Sequence, residues 1–188
     1  MLEGTLVRLR AREPEDLERA YAWINDPEVI RHLTYRYPMS RADEERWLRE
    51  TPANAFANGV ALAIENKQGD HIGNIDLSEM RPEDRKAQLG IMIGDKACWS
   101  KGYGTDAILT LLRFAFAEMN LNRVWLSVHD SNERAIACYK KCGFMEEGRL
   151  RQERFKDGRY GDVLIMGVLR EEFDGVLSER PELTERRE

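Results

Sequence analysis

The chain changes its hydrophobic period about halfway along its length. In the first half, apolar residues recur mainly at every second position, which predicts strands joined by short turns. These strands are expected at residues 5–10, 60–65, 72–80 and 86–93. Helix-start signals in the same half predict helices at 13–24, at 25–31 and from 40 to about 51. We therefore expect an antiparallel meander with helices on one side.

In the second half, helical and strand periods alternate. The apolar spacing predicts helices that end near Asn120 and at Cys142. Strands are expected at 123–129, from Phe144 onward and at 163–169. This order of strand, helix, strand, helix and strand is typical of an α/β unit.

The whole sequence is predicted to form one α/β domain with a mixed sheet, because no repeat or linker interrupts it. The domain is expected over residues 1–177, and the polar stretch 178–188 is expected to be a disordered tail. A length of 188 residues is sufficient to bury a substantial core.

Composition and charge narrow the classes of partner. The net charge is −5 and no basic block is present, which argues against a nucleic-acid partner. No apolar run is long enough to cross a bilayer and no signal-peptide pattern opens the chain, so we expect no membrane association and a cytoplasmic location. An odd number of cysteines, three, argues against a disulfide framework. His32, His71 and His129 are scattered without ligand spacing, so no metal site is predicted.

The stretch Trp99–Ala107 carries the strongest chemical signal. It follows the buried strand Leu89–Ile93 and precedes a helix, so its backbone N–H groups are positioned to meet an anion. Gly102 and Gly104 permit a tight turn and a close approach to the backbone, and Lys101 adds a positive charge. We predict an anion pocket here, and the expected anion is the pyrophosphate of a nucleotide-containing ligand.

The same stretch also matches a dinucleotide fingerprint, G-x-G-x-x-A, at residues 102–107. Asp130, at the end of the next strand, stands where an acid could hold a ribose. However, the motif lies mid-chain behind an antiparallel meander, and one further strand-helix-strand unit is too little for a full dinucleotide fold. A dinucleotide-binding oxidoreductase is the less favoured alternative. A P-loop is excluded because G-x-x-x-x-G-K-S/T is absent from the sequence.

Two segments together point to one family. Segment Trp99–Gly104 has the form of a Q/R-x-x-G-x-G/A loop, with Trp99 where Gln or Arg is usual, and segment Asn132–Phe144 reads N-x-x-A-x-x-x-Y-x-x-x-G-F. In this order, with a strand between them, they resemble the motifs of the GNAT superfamily of acetyl-CoA-dependent N-acetyltransferases. The resemblance spans residues 5–170, and W-x-K-G-Y-G-T is most similar to the RimJ/RimL branch, which acetylates terminal amines of ribosomal proteins.

The resemblance implies a GNAT-like α/β fold, with a mixed, mostly antiparallel central sheet flanked by helices and splayed at the acetyl-CoA site. It implies acetyl-CoA as co-substrate. The backbone of Ile91, Met92 and Ile93 would pair with the pantetheine arm like an added strand. The pyrophosphate would accept from residues of the glycine loop, which are Lys101, Gly102, Tyr103, Gly104 and Thr105.

Two further roles follow from the second segment. The resemblance implies that Asn132 hydrogen-bonds the cofactor arm, and this residue also suits a helix N-cap. It implies that Tyr139 lies near the thioester sulfur and donates a proton to the leaving thiolate. A phenol is a proton donor at neutral pH, so the chemistry is consistent with that role. Packing on an amphipathic helix is the alternative interpretation of Tyr139.

The general base is not identified by the sequence. Many relatives of this branch carry a Glu on the central strand where this chain has Gln88, which cannot act as a base. Asp76 and Glu79 on the preceding strand, or an ordered water alone, are the candidates left open. Neither Cys138 nor Cys142 is expected to carry an acetyl group in a ping-pong mechanism.

The expected function is transfer of an acetyl group from acetyl-CoA to a primary amine, by direct attack in a ternary complex. The acceptor is left open between a protein N-terminal amine and a small-molecule amine such as a polyamine or an aminosugar, because fold does not determine substrate. A non-catalytic acyl-CoA-binding or sensor domain is the second hypothesis, prompted by Gln88. A homodimer is considered because dimers are common in such families.

Overall fold

One sheet organises the structure, a computed structural model that describes residues 1–50 and 59–178. Within these ranges the strands are β1 (Leu2–Glu3), β2 (Val7–Arg10), β3 (Val60–Asn66), β4 (His71–Arg81), β5 (Lys86–Ile93), β6 (Arg123–His129), β7 (Met145–Lys156) and β8 (Arg159–Leu169). Their spatial order is β1-β2-β3-β4-β5-β6-β8-β7, and only the β5–β6 pair is parallel among them. The expected mixed, mostly antiparallel sheet is confirmed.

The α-helices of the described ranges are α1 (Leu17–Ile24), α2 (Arg41–Glu50), α3 (Tyr103–Ala117), α4 (Glu133–Lys141) and α5 (Arg170–Ser178). Helix α3 supplies much of the core through the stripe Ala107, Ile108, Leu111, Leu112 and Ala115, and it contacts strands β2 and β5. Burial of such a stripe stabilises the fold by roughly 25 cal/mol for each Å² of apolar surface. Because α3 is packed into the core along this stripe, the position of the loop that precedes it is fixed at the start of the helix.

A buried carboxylate ties the start of the chain to the first turn of α3. Asp106 accepts hydrogen bonds from the backbone amides of Thr5, Leu6 and Val7 at 3.0, 2.7 and 2.9 Å. A Cβ built on Gly4 would come within 2.5 Å of Asp106 Oδ2, so a glycine is required for this close approach. The contact joins residues about a hundred positions apart.

The strands expected at 60–65, 72–80, 86–93 and 123–129 are confirmed to within one residue, as β3, β4, β5 and β6. The strand expected at 5–10 begins two residues later, as β2. A β-bulge interrupts the β3–β4 pairing beside Gly73, because Ile64 pairs with Gly73 and Glu65 pairs with His71, which leaves Ile72 unpaired. The helix expected at 25–31 is instead a single 3-10 turn at Val29–His32.

Near the end of the chain, the structure differs from the expected elements. The last strand begins at Arg159 rather than at 163, because the hairpin pairs Lys156 with Arg159. The sequence analysis did not predict helix α5, because the first residues of this helix are charged. The helix is nonetheless anchored by Phe173, which packs on Phe116 with the ring centroids 5.4 Å apart. Ser178 ends α5, and the rest of the expected tail lies outside the described residues, as does the expected helix end near 51. No helix of the described part is long and apolar enough to span a membrane.

Candidate active site

Strands β5 and β6 separate partway along their length. They pair from Lys86–Arg123 to Gln88–Trp125 and no further, whereas β5 stays paired with β4 up to Ile93. A cleft of about 520 Å³ opens where they part. Backbone groups of β5 beyond Gln88 therefore have no strand partner on this side, which is the geometry that an extended ligand arm can use as an added strand.

All the predicted site residues except Lys101 line this cleft. Those that line it are Ile91, Met92, Ile93, Gly102, Tyr103, Gly104, Thr105, Asn132 and Tyr139. The Lys101 side chain is exposed and is not part of the cleft lining. The structure thus brings together residues from β5, the glycine loop and α4 that are separated by up to fifty positions in the sequence.

The glycine loop turns sharply into α3. Ser100 and Gly102 have φ values of 59° and 89°, in the left-handed region that favours glycine. Helix α3 begins at Tyr103, so the first amides of the helix lack helical acceptors and carry the positive end of its dipole. A phosphate group fits this corner of the cleft on chemical grounds.

Trp99 holds the loop against the end of β5. Its indole Nε1 donates to the Ile93 carbonyl at 2.7 Å, and the guanidinium of Arg134 stacks on the ring, 4.1 Å from its centroid. Arg134 and Lys141, both on α4, line the cleft. The sequence analysis missed these two cations; the signal that could have found them was a basic residue in the first turn of α4 and another in its last.

Helix α4 positions the two residues of the second motif. Asn132 caps α4, since its Oδ1 accepts from the Ala135 amide at 3.3 Å. The Tyr139 ring lies two turns later, with its centroid 5.9 Å from that of Phe144, and burial raises the pKa of its phenol. The phenol is therefore held in its protonated form at neutral pH, which is the form that can donate a proton.

The cysteines of α4 lie beside the same corner. Cys138 lines the cleft, with its Sγ 3.3 Å from Thr105 Oγ1, whereas Cys142 is buried. A hydrogen bond from Cys142 lowers the pKa of Cys138 to about 7. All three cysteines are free thiols.

The two candidate bases occupy different environments. Asp76 on β4 pairs directly with Gly90 on β5, and a Cβ built on Gly90 would come within 2.5 Å of Asp76 Oδ2. The carboxyl of Asp76 therefore covers the backbone of a residue that lines the cleft, and burial raises the pKa of Asp76. Glu79 is exposed and lies in the irregular part of the β4–β5 pairing, between Ser78 and Arg81. Gln88 also lines the cleft.

Comparison with known proteins agrees with this geometry. The family model described as Acetyltransferase (GNAT) domain matches residues 7–145. The chain belongs to this GNAT acetyltransferase family. A spermidine N(1)-acetyltransferase of Vibrio cholerae serotype O1 is 31% identical over 167 residues, which cover 88% of this chain and 94% of that protein. The putative ribosomal N-acetyltransferase YdaF of Bacillus subtilis is 30% identical over 177 residues, covering 90% and 94%.

The solved structures give the same family. A crystal structure of spermidine N-acetyltransferase from Vibrio cholerae, in complex with CoA and spermine, superposes with a TM-score of 0.82 at 28% identity, over 90% of this chain and 98% of that one. This GNAT chain is an acetyl-CoA-dependent N-acetyltransferase, with acetyl-CoA as co-substrate. The expected superfamily is confirmed and the oxidoreductase alternative is dropped. The RimJ/RimL branch stays a prediction.

Proposed function

We propose that this GNAT acetyltransferase moves the acetyl group of acetyl-CoA directly to a primary amine within a ternary complex, with no acetylated enzyme. The acceptor is a protein N-terminal amine or a small-molecule amine such as a polyamine or an aminosugar. The observation that carries the proposal is the single cleft in which splayed β5, the start of α3 and Tyr139 meet. Two relatives named as spermidine N-acetyltransferases support an amine acceptor.

The residues of the cleft divide into binding and chemical groups. The backbone of Ile91–Ile93 would hold the pantetheine arm, and the first amides of α3 with Arg134 and Lys141 would hold the phosphates. Bound acetyl-CoA supplies an activated acetyl thioester. Tyr139 then donates a proton to the departing thiolate, because its buried phenol keeps that proton at neutral pH.

Asp76 takes the proton that an acceptor ammonium must lose before it can attack. Three features support this role: direct pairing with Gly90, a carboxyl that lies over the Gly90 backbone, and a pKa raised by burial. A raised pKa makes a carboxylate a better base. Because Gly90 has no side chain, the Asp76 carboxyl occupies the space over its backbone. Gly90 lines the cleft and Asp76 does not, so the proton passes through water.

The catalytic proposal is tested by following thiol release from acetyl-CoA with a panel of amines. The panel contains Ser- and Ala-terminated peptides, spermidine, an aminosugar and an aminoglycoside. We expect at least one amine to be acetylated and Tyr139→Phe to lower kcat by about 100-fold or more, the usual contribution of a positioned acid. Tyr21→Phe, on α1 and outside the cleft lining, is the matched control and should retain activity.

Two results would contradict the proposal. Full activity in Tyr139→Phe would show that Tyr139 is not the proton donor to the thiolate. Binding of acetyl-CoA without turnover on any amine would favour the acyl-CoA-binding or sensor hypothesis. The homodimer, the cytoplasmic location and the absence of a nucleic-acid partner remain predictions that this assay does not address.

A further inference from the structure

Helix α4 presents to the cleft one thiol that acetyl transfer does not use. Cys138 lines the cleft and is half-buried, whereas Cys142, one turn later, is fully buried. Direct attack of an amine on the thioester needs no cysteine, and Tyr139 is the assigned acid. The Cys138 thiol is therefore a nucleophile within the site to which the proposed mechanism gives no role.

The Cys138 sulfur lies where the glycine loop, α3 and β5 meet. Its Sγ is 3.3 Å from Thr105 Oγ1, in the first turn of α3. A Cβ built on Gly104 would lie 3.8 Å from this Sγ and 3.8 Å from Ile93 Cγ1, at the end of β5. The sulfur is thus beside the residues assigned to the phosphates and to the pantetheine arm.

The core closes the other side of this thiol. Cys138 packs against the cluster of buried residues that contains Cys142 and Phe144. Cys142 is 0% exposed, and its Sγ donates to the Thr105 carbonyl at 3.7 Å. Because protein interiors are close-packed, a group of several atoms cannot be added on that side without displacing the core. A substituent on the Cys138 sulfur must therefore extend into the cleft.

Two cations flank the thiol on the same face of α4. Arg134, Cys138 and Lys141 follow one another at spacings of four and three residues, which place side chains on one face of a helix. All three line the cleft, and the Arg134 guanidinium is stacked on Trp99, 4.1 Å from the ring centroid. The first amides of α3 add the positive end of the helix dipole.

Little negative charge offsets these cations inside the cleft. Glu28 is the one carboxylate among the cleft-lining residues of the described chain, and it is paired with Lys96 at 3.0 Å. The thiol therefore opens onto a positively charged corner. Such a corner attracts anionic reagents and favours the thiolate form of a cysteine.

A second cleft-lining thiol provides an internal comparison. Cys98 ends the short 3-10 turn that precedes the glycine loop. Burial and then Asp95 raise the pKa of Cys98, whereas hydrogen bonds with Cys142 and then Thr105 lower the pKa of Cys138. Because the thiolate is the reactive form of a cysteine, we expect Cys138 to react before Cys98.

We propose that Cys138 is a modification site that forms a mixed disulfide with an anionic low-molecular-weight thiol, and that the adduct excludes acetyl-CoA from the cleft. Cys138 loses its proton to water, and its thiolate attacks one sulfur of a small disulfide R–S–S–R. A bond forms between Cys138 Sγ and that sulfur, the original S–S bond breaks, and the second sulfur leaves with the electron pair as R–S⁻. The exchange oxidises Cys138 and reduces the leaving sulfur, and a dithiol reverses it.

The adduct and the co-substrate should exclude each other. The inference rests on the proposed placement of acetyl-CoA in this cleft, and it does not depend on which amine is the acceptor. The modified protein should lose its affinity for acetyl-CoA, because the adduct occupies the corner assigned to the phosphates. Bound acetyl-CoA, whose own sulfur is acylated and does not exchange, should in turn shield the thiol.

The first test compares two small disulfides that differ in charge. The protein is incubated with glutathione disulfide, which is anionic, or with 2-hydroxyethyl disulfide, which is neutral, and peptide mass spectrometry locates and quantifies the adduct. Each rate constant is divided by that of the same disulfide with N-acetylcysteine amide, a neutral model thiol, to correct for intrinsic reactivity. We expect the corrected rate at Cys138 to be at least about tenfold higher for the anionic disulfide. The preference should shrink as salt is raised.

The second test measures acetyl-CoA binding by calorimetric titration before and after modification. The glutathione adduct should raise the Kd for acetyl-CoA at least about 100-fold, which corresponds to about 2.8 kcal/mol, and treatment with a dithiol should restore the original Kd. Acetyl-CoA at about ten times its Kd should slow the modification about tenfold, because only the free protein reacts.

Variants assign the effect to one sulfur and to one charge. Cys138→Ser should form no adduct in the cleft and should keep its own Kd for acetyl-CoA through the treatment. Cys98→Ser, which removes the other cleft-lining thiol, should be modified as the unmodified protein is. Lys141→Gln should reduce the preference for the anionic disulfide at least about threefold, whereas Lys140→Gln, outside the cleft lining, should leave it unchanged.

Each outcome decides the inference. An adduct at Cys98 in place of Cys138, equal corrected rates for the two disulfides, or a Cys138 adduct that leaves the Kd unchanged would overturn it. None of these measurements needs an acceptor, so a failure to acetylate any amine would reject the proposed function and leave the inference to its own data. If the unmodified protein did not bind acetyl-CoA, the placement of the co-substrate would be rejected, and the inference with it.

Discussion

Among single residues, Asp76 and Gln88 bear most directly on the proposed general base. Gln88 occupies the central strand and cannot accept a proton, whereas the Asp76 carboxyl lies on the neighbouring strand over Gly90. Because β4 and β5 are paired in this region, the Asp76 and Gln88 side chains lie on the same face of the sheet. We therefore expect a carboxylate at either position to serve the same acceptor.

This arrangement predicts a rescue. Asp76→Asn should lower kcat/KM by about 100-fold. In the unmodified protein, ionisation of Asp76 should make kcat/KM rise with pH, and this rise should lie at higher pH than for an ordinary Asp because burial raises the pKa of Asp76. The rise should be absent in Asp76→Asn. Adding Gln88→Glu should restore at least about tenfold of the lost rate. Glu79→Gln is the control, since Glu79 is exposed, and it should behave as the unmodified protein. An unchanged pH profile in Asp76→Asn would reject the assignment.

Arg134 illustrates a contribution that only the folded chain makes visible. Its guanidinium lies on Trp99 beside the first turn of α3, where phosphate is expected. Arg134→Ala should raise the Kd for CoA about tenfold, as loss of one charge-assisted hydrogen bond would do. Two controls should change this Kd less than about threefold. They are Lys140→Ala, on the same helix, and Lys101→Ala, and neither residue lines the cleft. Calorimetric titration measures all three, and equal effects at Arg134 and Lys140 would contradict the prediction.

At the scale of secondary-structure elements, the junction of β2 with α3 depends on one carboxylate. Asp106 accepts hydrogen bonds from three backbone amides at once, and its truncation removes all three. Asp106→Ala should lower the free energy of unfolding by roughly 3 kcal/mol, given the cost of leaving buried donors unpaired. Urea unfolding measures the change. Asp84→Ala, which removes an exposed carboxylate that contacts Lys86, should stay within about 0.5 kcal/mol.

The elements also show what the sequence could predict. Regular alternation located β3 to β6 because each strand has one face in the core, and the glycine loop was found because its chemistry is local. Helix α5 was missed because its charged start obscures the apolar stripe around Phe173. The contact between Arg154 and Leu33 joins residues 121 positions apart, so no local pattern could indicate it.

At the scale of the whole molecule, a buried histidine links stability to pH. His71 is 5% exposed, with its Nδ1 3.3 Å from Asp16 and its Nε2 3.0 Å from Asn74. Burial lowers the pKa of His71, an effect that Asp16 opposes in part. Below about pH 6.5, an unfolded chain gains the proton while the folded chain resists it. Stability attributable to His71 is therefore present above that pH and is lost as pH falls.

The expected size follows from linkage. Between pH 6.5 and 5, the free energy of unfolding should fall by up to about 1.4 kcal/mol per pH unit on account of His71, and His71→Gln should remove that part of the slope. Burial also raises the pKa values of Glu44 and Asp76. These two groups titrate in the unmodified protein and in His71→Gln alike, so their contributions largely cancel when the two slopes are compared. Chemical denaturation at several pH values measures the free energy of unfolding of each protein. Equal slopes against pH for the unmodified protein and His71→Gln would contradict the prediction.

The early end of the β5–β6 pairing has a consequence for stability. Three residue pairs join the five strands at one side of the sheet to the three at the other. A ligand that bonds to the free edge of β5 while it contacts α4, which follows β6, would join the two sides where the strands have parted. Such a ligand binds the folded chain and not the unfolded one, so bound co-substrate should raise the free energy of unfolding.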